Sequence, residues 1–372
     1  VDLSRAVYLI LAEGAFSLHG AKTASSAIRY FPERVVAVVD STQAGRTVGE
    51  VLGFGGDSPI VASLKEGLAA AVRRPTALLI GVAPRGGRLP QEWVDVVARA
   101  ADLGLDLVSG LHDFLADVPA IRGAAERAGV AIVDLRRPPT DLPVSTGRAR
   151  EVEAFTVLTV GTDCNIGKMT AALEIRRGLE QAGARVAFAP TGQTGILIEG
   201  WGIAVDAVIA DFIAGAAERL VLEGARRAGP DGIVLVEGQG SLVRPAYSGV
   251  TLGLLHGTMP DAMILCHEPT RQRIRSDGVY DFVRMPTLAE AVRMNEAAVD
   301  PLRPARVIGI SLKTSDLPED EARRAIQRAT EETGLPATDP VRFGPGPLVE
   351  AILEAARQKR RAGARATVPQ QA

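Results

Sequence analysis

The chain is poor in the residues that announce the simpler function classes. It has two cysteines in 372 residues, Cys164 and Cys266, which gives no disulfide framework and no zinc-ligand spacing. Histidines number four. Forty-two basic residues face forty-four acidic ones, a net charge of −2, so there is no electrostatic footprint for nucleic acid. No apolar run reaches the length needed to span a bilayer. The apolar stretch 6–12 is followed by Glu13 and a glycine, and it reads as a first strand rather than a signal peptide. No internal repeat is found, and no G-x-G-x-x-G dinucleotide fingerprint follows the first strand. The expectation is a soluble cytoplasmic protein, a homo-oligomer with no membrane and no nucleic-acid partner.

What is present is ordinary globular material, 47% hydrophobic and 23% charged, in a length that suggests two domains. Short apolar runs at 7–11, 35–39, 77–82, 105–108 and 130–133 alternate with helical patterns at 21–30, 64–73, 92–101 and 120–128. Such alternation implies a parallel sheet covered on both faces, a Rossmann-like topology. Asp40 ends the second run, where a ribose-binding acid would sit. His19, Lys22 and the loops 81–88 and 109–112 follow strands, the edge where open sheets bind ligands. Three prolines within 138–143 mark a seam, since proline continues neither a helix nor a central strand. Domains are expected at 1–145 and 146–357, with a polar, basic tail at 358–372 that reads as a frayed helix end and a disordered terminus.

One stretch organises the second half. An apolar, β-branched run at 155–160 leads into Gly161-Thr162-Asp163-Cys164-Asn165-Ile166-Gly167-Lys168, and a helical pattern follows over 169–181. A strand, a glycine-framed loop ending in Gly-Lys and a helix are what a phosphate-binding loop requires: backbone N–H groups, a helix N-terminus and a mobile cation. Gly161, Thr162, Asp163, Cys164, Asn165, Gly167, Lys168, Met169 and Thr170 are therefore the cofactor-binding candidates. Two departures stand out. Five residues rather than four separate Gly161 from Gly167-Lys168, a loop length that resembles dethiobiotin synthetase. Met169 takes the place of the Ser or Thr whose hydroxyl holds Mg²⁺. Thr170 cannot simply substitute, because one helical step turns a side chain by about 100°.

Further runs at 185–189, 232–236, 262–266 and 306–310 read as strands, and their following loops carry the polar content. A long helix is expected over 205–227, carrying Asp206 and Asp211. Thr191, Gln193 and Thr194 follow the first of these strands. Glu237, Gln239 and Ser241 follow the second, which in this loop class commonly neighbours the phosphate-loop strand. Glu237 could ligate Mg²⁺ or act as a general base. The stretch 245–258 shows no clear period and contains His256, a second candidate base. Arg244, Arg271, Arg273 and Arg275 flank these loops and could hold a carboxylate. Thr191, Gln193, Thr194, Gln239, Ser241 and Arg244 are the substrate-binding candidates, and the sequence does not choose between Glu237 and His256 as base.

The phrases GTDCNIGKMT, TGQTGILIEGWGIAVDAVIADFIAGAAERL, VEGQGSL, RPAYSGVTLGLLHGTMPDAMILCHEP, IGVAPRGGRLPQEW and DLVSGLHDFL resemble a family catalogued as a domain of unknown function. Its members pair an N-terminal Rossmann-like domain with a C-terminal P-loop domain, and one of them N-acetylates D-glutamate. The resemblance implies an acetyl-CoA-dependent N-acyltransferase acting on an amino acid. It carries no residue roles. The alternatives are a Mg·ATP-dependent ligase or kinase, in which Glu237 and Asp163 would hold Mg²⁺, and a nucleotide-sensing regulator.

Overall fold

The computed structural model describes residues 2–18, 20–82, 84, 87–274 and 278–366. His19, part of the loop 81–88 and Arg275 lie outside them. The chain forms two compact units, one of Val1–Pro138 with Gly192–Ala207, the other of Pro139–Thr191 with Val208–Ala372.

In the first unit, β1 (Tyr8–Leu11), β2 (Val35–Val39), β3 (Ile60–Val61), β4 (Ala77–Ile80), β5 (Asp106–Ser109) and β6 (Ile132–Asp134) form one sheet. Every pairing is parallel and the order is β3-β2-β1-β4-β5-β6, the arrangement of a Rossmann-like domain. Its helices are α1 (Lys22–Tyr30), α2 (Val48–Leu52), α3 (Leu64–Ala70), α4 (Gln91–Asp102) and α5 (Pro119–Ala128). Tyr8, Leu9, Ile10 and Leu11 are all buried, as expected of a strand covered on both faces.

The second unit holds β7 (Phe155–Gly161), α6 (Lys168–Gln181), β8 (Val186–Ala189), α8 (Ile213–Ala228), β9 (Ile233–Val236) and α9 (Ser248–Thr258). It continues through β10 (Ala262–His267), α10 (Leu288–Val299), β11 (Arg306–Leu312), α11 (Glu319–Thr333), β12 (Ala337–Thr338) and α12 (Gly346–Ala366). Its sheet is again parallel, in the order β12-β11-β10-β7-β9-β8. The strand feeding the phosphate loop therefore lies between β9 and β10, so the loops after these three strands share one edge. Among the described residues, no helix is long and apolar enough to cross a membrane.

Between β8 and α8 the chain leaves the second unit. Helix α7 (Gln193–Glu199) buries Ile196 and Leu197, with Ala204, in the hydrophobic core of the first unit. Arg136 fastens the segment there. Its Nε donates to the Gly110 carbonyl at 2.7 Å and its Nη1 pairs with Asp206. A second domain continuous from 146 was the expectation; Ile196, Leu197 and Ala204 instead join the other core.

Three local expectations are also corrected. The helix expected over 205–227 starts only at Ile213, and Asp206 and Asp211 lie in short 3-10 turns before it. The aperiodic stretch 245–258 contains α9. Two of its three glycines are packing devices, because a Cβ at Gly253 would lie 2.5 Å from Ile213 Cγ2 and one at Gly257 would lie 2.1 Å from the Ala214 carbonyl oxygen of α8. Of the tail expected to fray from 358, the part to Ala366 is helical and 367–372 lie outside the described residues. Lys359 Nζ donates to the carbonyls of Val152 and Ala154 and pairs with Asp261 at 2.8 Å.

Candidate functional site

The phosphate loop is built by the strand before it and the helix after it. All seven residues of β7 are buried, which fixes the loop's base on the sheet. Asn165 (φ 56°) and Gly167 (φ 96°) take left-handed conformations that turn the chain into α6. Lys168 is the first residue of α6 and is buried. A buried ammonium needs acceptors. Here Nζ donates to the carbonyls of Asp163 at 2.7 Å and Gly240 at 2.8 Å. Gly240 belongs to the loop after β9, so the lysine links two adjacent loops. Met169 is buried, and its thioether carries no hydroxyl toward the loop.

The loop after β9 must approach β7 closely. Gly238 N–H donates to Thr159 Oγ1 at 2.9 Å. A Cβ on residue 238 would lie 1.6 Å from the Thr159 carbonyl oxygen and 3.2 Å from Lys168 Cδ, so only glycine fits. Glu237, one residue earlier, is buried. Its Oε2 accepts from Thr191 N–H at 3.0 Å, and its own carbonyl accepts from Thr191 Oγ1 at 2.7 Å.

On the other side, the loop after β10 supplies charge. The fully buried Asp163 pairs through Oδ1 with Arg244 Nη1 at 2.8 Å and through Oδ2 with Arg271 Nη1 at 2.7 Å. Arg271 also donates to the Cys164 carbonyl at 2.6 Å and pairs with Glu268, which is 3.4 Å from Lys313 Nζ. An acid bridging two guanidiniums is strongly held, since breaking one side of a buried pair costs about 3–5 kcal/mol. Asp163 therefore acts as an anchor for two arginines and is poorly disposed to ligate Mg²⁺. His267 Nδ1 shares a 2.9 Å hydrogen bond with Thr162 Oγ1. Burial pushes the His267 imidazole down to about 4, so the ring is neutral near pH 7. Burial raises the Cys164 thiol, with Lys168 and Arg244 pulling the other way.

The structure sorts the sequence candidates. Gly161 to Lys168, Met169 and Thr170 form the loop and the start of α6, and Glu237 and Arg244 stand beside it. Thr191 is a brace for Glu237. Gln239 presents its carbonyl to Thr251 Oγ1 at 2.8 Å. Ser241 Oγ is buried with no hydrogen-bond partner among the described residues. Gln193 and Thr194 belong to the first unit, where Gln193 Cγ lies 2.5 Å from where a Gly110 Cβ would be and Thr194 Oγ1 is 3.3 Å from Thr23 Oγ1.

His256 is not among the candidates that these bonds gather at the loop. It lies eight residues into α9, about 12 Å along the axis, toward the end that leads into the start of β10. Its Nε2 donates to the Ala298 carbonyl at 3.0 Å, against α10. Gly238 N–H is already given to Thr159 Oγ1 and so is not available to a ligand. Asp40 in the first unit accepts from the N–H groups of Gly14, Phe16 and Thr42 and from Thr42 Oγ1, so it is a loop brace rather than a ribose ligand. Sequence reasoning overlooked His267, Glu268 and Lys313 and gave Arg271 no distinct role. The clue was their place at strand ends: His267 and Glu268 at the end of β10, which neighbours β7, and Lys313 after β11, one strand further out.

Comparison with known proteins agrees with this architecture. Residues 143–349 match the domain of unknown function DUF1611_C, a P-loop domain, and residues 41–138 match DUF1611_N, a Rossmann-like domain. A Tritonibacter scottomollicae protein named D-glutamate N-acetyltransferase is 39% identical over 346 residues, 93% of this chain and 98% of that protein. A Pseudoalteromonas protein of the same name is 37% identical over 272 residues, 73% of this chain and 79% of its own. The crystal structure of a DUF1611 family protein from Anabaena variabilis superposes with a TM-score of 0.87 at 36% identity, covering 94% of this chain and all of that one.

Proposed function

Because the chain belongs to the DUF1611 family, carrying its Rossmann-like and P-loop domains in that order, we propose that it is an N-acyltransferase. It moves an acetyl group from acetyl-CoA to the amine of an amino acid, D-glutamate first. The relatives' names support the reaction class. The observation that carries the cofactor choice is the phosphate loop itself. Lys168 and the helix N-terminus are kept, while the residue after the lysine is Met169 and Asp163 is held between two arginines. Such a loop favours a phosphate ligand that comes without Mg²⁺, as the pyrophosphate of coenzyme A does.

The chemistry asked of the protein is modest. The substrate ammonium loses a proton to Glu237, which Thr191 holds at the strand end. The neutral amine attacks the thioester carbonyl; the C–N bond forms, the C–S bond breaks, and the departing thiolate takes the second amine proton. Backbone N–H groups of the surrounding glycine loops, Gly238 excepted, are the available donors to the developing oxyanion. A guanidinium suits the carboxylate of the acceptor.

The test is a thiol-release assay with acetyl-CoA against a panel of D- and L-amino acids, with the product identified by mass. Release of one thiol per N-acetyl-D-glutamate is expected. Release of inorganic phosphate from Mg·ATP with a carboxylate substrate, and no thiol release, would replace this reading with the ligase one.

A further inference from the structure

The chain has four tyrosines, and two of them, Tyr247 and Tyr280, flank a single arginine beside the phosphate loop. Arg244 Cζ lies 5.4 Å from the Tyr247 ring centroid and 5.7 Å from that of Tyr280. Its Nη1 is 2.8 Å from Asp163 of the loop. Tyr280 meets Phe282 edge-on, with centroids 6.3 Å apart and planes at 83°. Tyr247 is 48% exposed and Phe282 79% exposed. The exposed Tyr247 and the half-buried Tyr280, each about one guanidinium's width from the phosphate loop in a chain with so few aromatics, form a stacking surface continuous with an anion site.

Resting on the acyl-CoA reading above, we propose that Arg244, Tyr247 and Tyr280 form the subsite for the 3′-phosphoadenosine end of the acyl-CoA. The pyrophosphate lies on the loop and Lys168. The ribose carries the chain outward past Arg244, and the adenine reaches the tyrosine rings, where stacking needs no base-specific hydrogen bond. Coenzyme A differs from other adenine nucleotides in the phosphate on its ribose 3′ oxygen, beside the base. A guanidinium between the base surface and the loop is placed for that group, and its planar fork suits phosphate. Asp163 orients the fork. Arg244 is thus the residue that selects coenzyme A over an adenine nucleotide lacking the 3′-phosphate.

The experiment is calorimetric titration of CoA and of 3′-dephospho-CoA in EDTA on the wild-type chain and on the variants Arg244→Ala, Arg244→Lys, Tyr280→Ala and Tyr280→Phe. A charge-assisted contact to phosphate contributes roughly 10- to 100-fold in affinity, so the wild type should prefer CoA by that factor. Arg244→Ala should bring the preference close to one while retaining affinity for dephospho-CoA, which also shows the loop is intact. Arg244→Lys should keep part of it. Tyr280→Ala should weaken both ligands by the same factor, and Tyr280→Phe neither. Equal wild-type affinities, or a preference that survives Arg244→Ala, would overturn this subsite alone. Failure of both ligands to bind the wild type would overturn the acyl-CoA reading as well.

Discussion

Asp40 and Glu237 occupy the same kind of place in the two units: each is a buried acid just past a strand of a six-stranded parallel sheet. They are used differently. Asp40 gathers the amides of Gly14, Phe16 and Thr42 and so holds the loop after β1 against its own turn. Glu237 is itself held, by Thr191, in a loop whose Gly240 carbonyl receives Lys168. At the first sheet edge the buried Arg136 is taken up by the Gly110 carbonyl and Asp206. One of the first unit's cavities, about 990 Å³, is lined by apolar residues such as Leu64, Leu68, Trp93 and Val96, with Lys65, Glu92, Asp95 and Arg99 also on its wall. An acid at a strand end is therefore uninformative by itself; what neighbouring strands deliver beside it decides whether it braces or reacts.

The sharpest way to break the comparison is to neutralise both acids. Glu237→Gln should lower turnover by about 10²–10⁴, the usual contribution of a positioned base, with acetyl-CoA affinity unchanged in titration. Asp40→Asn should leave turnover intact and instead lower stability, by about 1.5–3 kcal/mol, in urea unfolding. Exchanged outcomes would dissolve the distinction.

A pH effect of similar size belongs to the second unit. Burial holds His267 at about 4 in the folded chain, against an ordinary 6.5. The unfolded state then binds more protons between these values, so stability is full above pH 6.5 and falls as pH drops toward about 4, by roughly 3 kcal/mol. His267→Gln should flatten that slope in urea titrations run across this window; an unchanged slope would show that the ring is not held neutral.

Smaller again is Lys168→Ala, expected to weaken the phosphate-bearing ligand by roughly 10- to 100-fold while the far-ultraviolet dichroism stays that of the wild type. Least is His256→Ala, which should change turnover little and cost about 0.5–1.5 kcal/mol through the lost bond to Ala298. A large loss of turnover there would return His256 to the site.

Much of this was legible. The strand–loop–helix of 155–181 could be read because its glycines and Lys168 have a local geometric purpose, and the apolar runs gave both parallel sheets. The two-residue strands β3 and β12 are too short to show a period. Helix α9 was unreadable because Gly253 and Gly257 resemble loop residues, although they serve a close helix contact. The excursion of 192–207 into the first unit has no local signature, since Ile196 and Leu197 would suit either core. The arginine pair on Asp163 depends on strand order: Arg271 is one of many arginines until β10 is known to lie beside β7.

The central claim is that this phosphate loop serves a metal-free acyl-CoA. It is tested most directly by calorimetric titration of acetyl-CoA in EDTA, set beside Mg·ATP under otherwise identical conditions. Acetyl-CoA is predicted to bind at least about tenfold more tightly, with no gain when Mg²⁺ is added. Tighter binding of Mg·ATP, or acetyl-CoA binding that appears only with Mg²⁺, would contradict it.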